Sequence, residues 1–393
     1  MREPILRSVL LGRVALETSR LSQARRVLAT QGPGAPLLSR LAGDRVNALL
    51  ADVQRPLDDL ALFLRSGRIR PEQVIKTVEL QDATDRVLSE CLALAVGALA
   101  RQVGLDAGAC EEADLLVGDL AACVDRRFAR PTVPGAAEQL HLASDVLRRR
   151  VPDHGLWDLP VTAHEFGHIV ATGLAPYSAL ANAVSRPVEK FLHGYEGARR
   201  LQASELFADA FATFALGLSY PCTLLLHRLD PSAPAVAGED ATHPGDASRA
   251  YACTWTLNRM QTSGRPRPYD RVLGQLDDAW AQLQHSAPPG ARLEESDRVA
   301  LVEELEGCWS TLKDHLPAMR YVWSGLVREL VSDLEGRQGS GPAPSGYSRA
   351  DVLNAAWIVR LEAWSRRADP PQDLEERAHG LLNALPIGGS HGP

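Results

Sequence analysis

Apolar residues in this 393-residue chain recur three and four positions apart over long stretches, and no sustained run alternates between β-branched and polar residues. The first pattern follows the period of an α-helix and the second would follow that of a half-buried strand. The expected fold is therefore mainly α, with little or no β-sheet. Over 37–65 the apolar positions are Leu41, Val46, Leu49, Leu50, Val53 and Leu57; over 70–103 they include Val74, Val78, Leu80, Val87, Leu88 and Leu92. The spacing predicts further helices over 110–126 and 136–151, and a final pair over 350–367 and 373–385, separated by Pro370 and Pro371. Segments rich in Pro, Gly and small polar residues at 230–248, 284–292 and 335–348 read as loops or linkers. Three domains are expected: a helical one over 1–150, a central one over 151–260 and a second helical one over 261–393.

A net charge of −7 argues against a nucleic-acid partner, which a basic protein would suit better. Only three of the 42 basic residues are lysines, so the cationic surface is almost all arginine. The six cysteines are scattered and form no C-x-x-C pair, which leaves neither a cysteine zinc knuckle nor a redox dithiol. They read as reduced core thiols, and the expected location is the cytoplasm. Two runs without Asp, Glu, Lys or Arg, 166–185 and 210–227, approach the length of a membrane span, but interruptions such as Pro176 and Pro221 favour buried core helices. No membrane partner is expected.

Chemistry concentrates in His164-Glu165-Phe166-Gly167-His168. On a helix, positions i and i+4 share one face, so His164 and His168 can converge on one cation. Glu165 projects about 100° around the axis, where its carboxylate can take a proton from activated water. Gly167 removes a side chain from that turn and leaves room for substrate or another backbone.

A third ligand is offered by a later apolar helix, opened by Ser204 and ending near Gly217. Its two acids, Glu205 and Asp209, are again i and i+4, and burying both requires something cationic against them. Zinc ligation by Glu205, with Asp209 hydrogen-bonded to the far nitrogen of a ligand histidine, meets that requirement. A salt bridge to Arg199 or Arg200 is the plainer alternative. In the loop beyond, His243 is a candidate to touch the site, and Arg249 could pair with Asp209 or Glu205. Candidates to stabilise an oxyanion are His243, Tyr195 and Tyr251.

The sequence H-E-x-x-H, then E-L-x-A-D, then T-H-P-x-x-x-x-R resembles the gluzincin metallopeptidases of the prenyl-protein endopeptidase and bacterial heat-shock protease type. The resemblance covers roughly 159–249. It implies His164, His168 and Glu205 as zinc ligands, Glu165 as catalytic base and Asp209 in support behind them. Relatives of that type carry transmembrane helices and this sequence shows none that is convincing, so their substrates do not transfer. No G-x-S-x-G elbow, phosphate-binding loop or dinucleotide fingerprint competes for the function.

The expectation is a zincin-like pair of active-site helices within a multi-helix, zinc-dependent endopeptidase acting on a polypeptide. The helical flanks offer a surface for a regulatory partner. The rival expectation is a non-catalytic helical interaction protein whose metal site is structural or degenerate.

Overall fold

The computed structural model describes residues 3–29, 36–135, 139–141, 146–151, 155–172, 179–238, 241–261, 267–288, 290–336 and 345–386. Among these the chain is mainly α, with fourteen α-helices and one small sheet. It gathers into two compact units, one built from residues 1–110 and 131–152 and the other from 111–130 and 153–393. The residues on either side of position 260 therefore belong to one unit.

The first unit packs α1 (Glu3–Ala29), α2 (Pro36–Ser66) and α3 (Pro71–Gln102) against one another. Their shared core takes Leu10, Val14 and Leu21 from α1, Leu50, Leu57 and Leu64 from α2, and Leu80 and Leu94 from α3. In α2 these residues alternate with Val46, Val53 and Leu60, which gives the three- and four-residue spacings of an apolar stripe. Val133 and Val146 join that core from the sheet. The sheet has the order β1 (Thr132–Gly135), β3 (Val146–Arg150), β2 (Gln139–His141); β1 pairs with β3 in parallel and β2 pairs with β3 antiparallel. Gly97 lets α3 lie against β1, since a Cβ there would fall 2.5 Å from the Pro134 carbonyl oxygen.

This sheet corrects the expected helix over 136–151. Cross-strand partners override the local spacing: Thr132 aligns with Leu147 and Leu140 with Leu147 from the other side. Two of the three arginines of β3 are satisfied by tertiary contacts that a helix would have scattered. Arg148 pairs with Glu90, and the buried Arg149 donates to the Ala109 carbonyl oxygen at 2.9 Å.

The second unit centres on α5 (Val161–Thr172) and α7 (Gly197–Leu216), which pack on each other. Phe166, Phe207, Phe211 and Phe214 fill the space around them with no exposed surface. The helix of Glu205 and Asp209 begins at Gly197, seven residues before the expected opening at Ser204. Before it, α6 (Ala179–Leu192) carries Pro187 in its interior. The end near Gly217 matches: that residue caps α7 at φ +70°, and a Cβ on it would meet the Tyr321 ring at 2.6 Å. Gly173, where the sequence predicts the helix of His164 and His168 to end, lies outside the described residues.

Around this pair the chain adds α4 (Ala109–Val124), α8 (Ser219–Thr223), α9 (Asp246–Met260), α10 (Asp270–Leu283), α11 (Glu295–His315), α12 (Leu326–Leu334), α13 (Arg349–Ser365) and α14 (Leu374–Ala384). Ser348 caps α13, accepting from the Asp351 N–H, while the Asp351 carboxylate accepts from the Ser348 N–H at 2.9 Å, a reciprocal capping box. Arg349 then pairs with Asp119 of α4 at 2.5 Å, both buried. Asn354 Oδ1 accepts from the Ser219 N–H at 2.9 Å and so fixes the start of α8.

All seven tryptophans and all seven tyrosines fall in the second unit. Trp157, Trp357 and Trp364 surround the Arg360 guanidinium at 4.2, 5.2 and 4.6 Å from their ring centres. All six cysteines are free thiols. Among the described residues no helix is long and apolar enough to cross a membrane.

Gly217 combines a left-handed backbone with a site that has no room for a methyl group. Gly217→Ala is expected to destabilise the second unit by about 2–4 kcal/mol, measured as a fall in the urea midpoint followed by tryptophan fluorescence. An unchanged midpoint would mean the turn relaxes freely.

Candidate metal centre

The site starts with how closely α5 and α7 approach. A Cβ on Gly167 would lie 3.0 Å from the Ala208 Cα and 3.2 Å from the Phe211 ring. The room that Gly167 leaves is therefore filled by the backbone of α7. This approach brings Glu205 of α7 against both histidines of α5.

The two imidazoles and the Glu205 carboxylate form a triangle of donor groups. His164 Nε2 and His168 Nε2 lie 3.2 Å apart. Glu205 Oε2 is 3.3 Å from His164 Nε2, and Glu205 Oε1 is 3.3 Å from His168 Nε2. A tetrahedral cation with bonds of about 2.0–2.1 Å sets its ligand atoms ~3.3 Å apart, close to the separation of the two imidazole nitrogens and to the distance from each imidazole to its own carboxylate oxygen. His164, His168 and Glu205 can thus hold a metal ion, with donor atoms all within 4.8 Å of one another. Two imidazole nitrogens and a carboxylate form a donor set suited to a borderline divalent metal.

Behind the triangle lies a buried polar network. His164 Nδ1 sits 2.8 Å from Asp209 Oδ1. Asp209, with no exposed surface, also receives the Arg249 fork through Nε at 2.8 Å and Nη2 at 2.7 Å. The Tyr220 hydroxyl donates to Asp209 Oδ1 and lies 2.9 Å from His164 Nδ1, while its ring stacks on the imidazole at a centroid distance of 6.0 Å. With one proton held on Nδ1 by Asp209, loss of the other bares the Nε2 lone pair toward the triangle, the tautomer a metal ligand needs. His168 Nδ1 faces Ser204 Oγ at a long 3.4 Å.

Electrostatics follow from this arrangement. Burial pulls the His164 pKa down, but Asp209 and Glu205 outweigh it and push the ring up to about 10. Burial pushes Glu205 up, yet the two imidazoles more than reverse that and hold it well below the usual carboxylate range. Asp209 is likewise held low, its burial overcome by Arg249 and His164.

Glu165 is buried on α5, one residue after His164. His243 is 64% exposed and reaches the rim, its Nε2 3.6 Å from Glu205 Oε1. Gln202 of α7 donates to the Ala241 carbonyl oxygen at 2.8 Å and Thr242 Oγ1 lies 2.9 Å from His243 Nδ1, which together hold that segment beside the triangle. Arg199, the plainer partner considered for the acids, pairs instead with Glu304.

The two tyrosine candidates face elsewhere. Tyr195 packs its ring on Phe191, and burial, with Glu304 nearby, pushes its hydroxyl up to about 12. Tyr251 lies about 200° around α9 from Arg249, and it lines a groove of about 940 Å³ between α9 and α10. The tyrosine that does reach the network, Tyr220, was not among the candidates. Its one signal was a lone phenol inside the apolar run 210–227, where a buried hydroxyl needs a partner. Away from this site, His227 lies against the Trp357 ring and His379 meets Glu112.

Because the His164 pKa is raised above its unfolded value of 6.5 to about 10, the folded ring holds a proton at neutral pH. A cation must displace that proton, so affinity for Zn²⁺ is expected to rise about tenfold per pH unit between roughly pH 6 and 9. Competition with a chromophoric chelator measures it, and a flat profile would contradict the charge balance described. Comparison with protein-family models, curated proteins and solved structures finds no match to this chain, so the capacity to bind a cation rests on the triangle and the network behind it.

Proposed function

We propose that the protein is a zinc-dependent endopeptidase, with His164, His168 and Glu205 as the ligands and Glu165 as general base. The observation that carries this reading is the 3.2–3.3 Å donor triangle backed by Asp209, Arg249 and Tyr220. The resemblance of the three motifs to gluzincins supports it. Zn²⁺ suits this mixed nitrogen and oxygen set, and three protein ligands leave a fourth position open.

A divalent cation bound there supplies Lewis acidity to water and to the scissile carbonyl. Glu165 accepts the proton of the attacking water and passes it to the leaving amine. Its neighbour in sequence, His164, is kept in one tautomer by Asp209, which Arg249 in turn holds charged. His243, exposed at the rim, donates a hydrogen bond to the oxyanion as it forms. Substrate is a polypeptide long enough to cross the rim between α7 and the segment that carries His243.

Glu165→Gln should retain stoichiometric zinc, measured by elemental analysis, while hydrolysis of labelled casein falls about 100- to 10,000-fold. Wild-type turnover in that variant would remove Glu165 from the mechanism, and a well-folded wild type that binds no zinc would end the reading.

One observation favours the rival, a closed structural site in a non-catalytic protein: His243 Nε2 lies only 3.6 Å from Glu205 Oε1, within reach of fourth-ligand duty. His243→Ala separates the two. Under the catalytic reading zinc affinity stays within about threefold while kcat drops at least tenfold; under the structural reading the affinity itself falls by about 100-fold or more.

A further inference from the structure

We propose that the groove between α9 and α10 binds a linear polyamine, a chain of methylenes with an ammonium group at each end. The groove lies away from the metal centre: Tyr251 and Trp255 line it from about 200° and 240° around α9 from Arg249, which faces Asp209. Its floor on α10 is one straight stripe, Asp270, Gly274, Asp277 and Ala281, spaced four, three and four residues apart. Gly274 is the one glycine of α10 and stands in the helix interior, where glycine is destabilising. A Cβ on it would meet nothing within 4 Å, so no close approach of a neighbour accounts for it. What it does leave is a bare floor between two acids.

The walls are aromatic. Trp157, Trp309, Trp323, Trp357 and Trp364 each pack on another aromatic ring. Among the described residues Trp255 and Trp280, the two tryptophans that line this groove, do not. The Tyr251 hydroxyl likewise meets no hydrogen-bond partner among the described residues. Tyr251 and Trp255 are backed by Leu206, Ala252, Leu301 and Leu305, so the rings stand in place before a ligand arrives and lose little freedom when it does. Such rings attract cations, and Trp255 already carries one, the Arg259 guanidinium 5.4 Å from its centre.

Charge selects the occupant. Arg292 donates to the Gln284 carbonyl oxygen at 3.0 Å, Arg298 lies 3.9 Å from Glu295, and Asp270 accepts from Gln261 at 2.9 Å. Asp277 pairs with no cation among the described residues. Desolvation, with the Asp278 charge beside it, raises its carboxyl above the ordinary value, a cost that a bound cation removes. Asp270 and Asp277 stand two turns apart, about 10.5 Å along the axis. One inorganic cation cannot meet both, whereas an extended chain of about eight methylenes sets an ammonium on each and lays its apolar length against the rings. Arg292 and Arg298 repel cations from the other end and so hold the ligand to the acidic half. The groove, about 940 Å³, has room for such a chain.

Isothermal titration calorimetry of the full chain with spermidine or 1,8-diaminooctane in physiological salt should show one-to-one binding, with a Kd of roughly 10–300 µM. Asp277→Asn should weaken it at least about tenfold. Gly274→Leu, which fills the floor and favours the helix, should abolish it, and both variants should keep the wild-type far-UV circular dichroism. On the wild type, 1,3-diaminopropane, too short to reach both acids, should bind at least about tenfold more weakly than 1,8-diaminooctane. That comparison stands if either variant misfolds. A wild type that binds neither long amine overturns the proposal, as does equal affinity for the short and long diamines, or long-amine binding untouched in a folded Gly274→Leu. Tighter binding of trilysine than of spermidine assigns the groove to a basic polypeptide and overturns it as well.

Discussion

Asp209 is a carboxylate with no access to water, and the second unit is organised around satisfying it. An isolated charge in such a place would be untenable, and removing one partner of a buried pair typically costs 3–5 kcal/mol. Arg249 answers it with a two-pronged fork, Tyr220 with a hydroxyl and His164 with a ring nitrogen. These partners come from α9, α8 and α5, so one acid on α7 ties four helices into a fixed relation. The position of His164 relative to Glu205 follows from that fixation. The donor triangle is then a property of the fold, set before any cation arrives.

Much of the centre was legible from spacing alone. His164 and His168, and Glu205 and Asp209, each stand one helical turn apart, and a pattern of period 3.6 transmits directly into three dimensions. What the spacing could not carry was the meeting of separate segments. Tyr220 reaches Asp209 only because α7 ends at Gly217 and the chain turns back, a consequence of one left-handed residue pressed against Tyr321. The sheet was missed for a related reason. Strand β3 has no alternation of its own to declare it, and its pairing with β1 and β2 rests on partners many residues away.

Helix α13 was expected to belong to a separate C-terminal domain. Instead its Asn354 holds the Ser219 N–H at the start of the helix that bears Tyr220, and its Arg349 neutralises the buried Asp119 of α4. Truncation at residue 350 would therefore remove a support of the polar network along with whatever else that segment does. Loss of function in such a fragment would say nothing about regulation.

The uneven placement of aromatic residues has an optical consequence. With every tryptophan and tyrosine in the second unit, the first is silent near 280 nm and in tryptophan and tyrosine emission. Its helices and small sheet register only in the peptide band. The aromatic signal thus follows the second unit alone while the peptide band follows both, and a gap between the two melting curves reads out whether the units lose structure together or in turn.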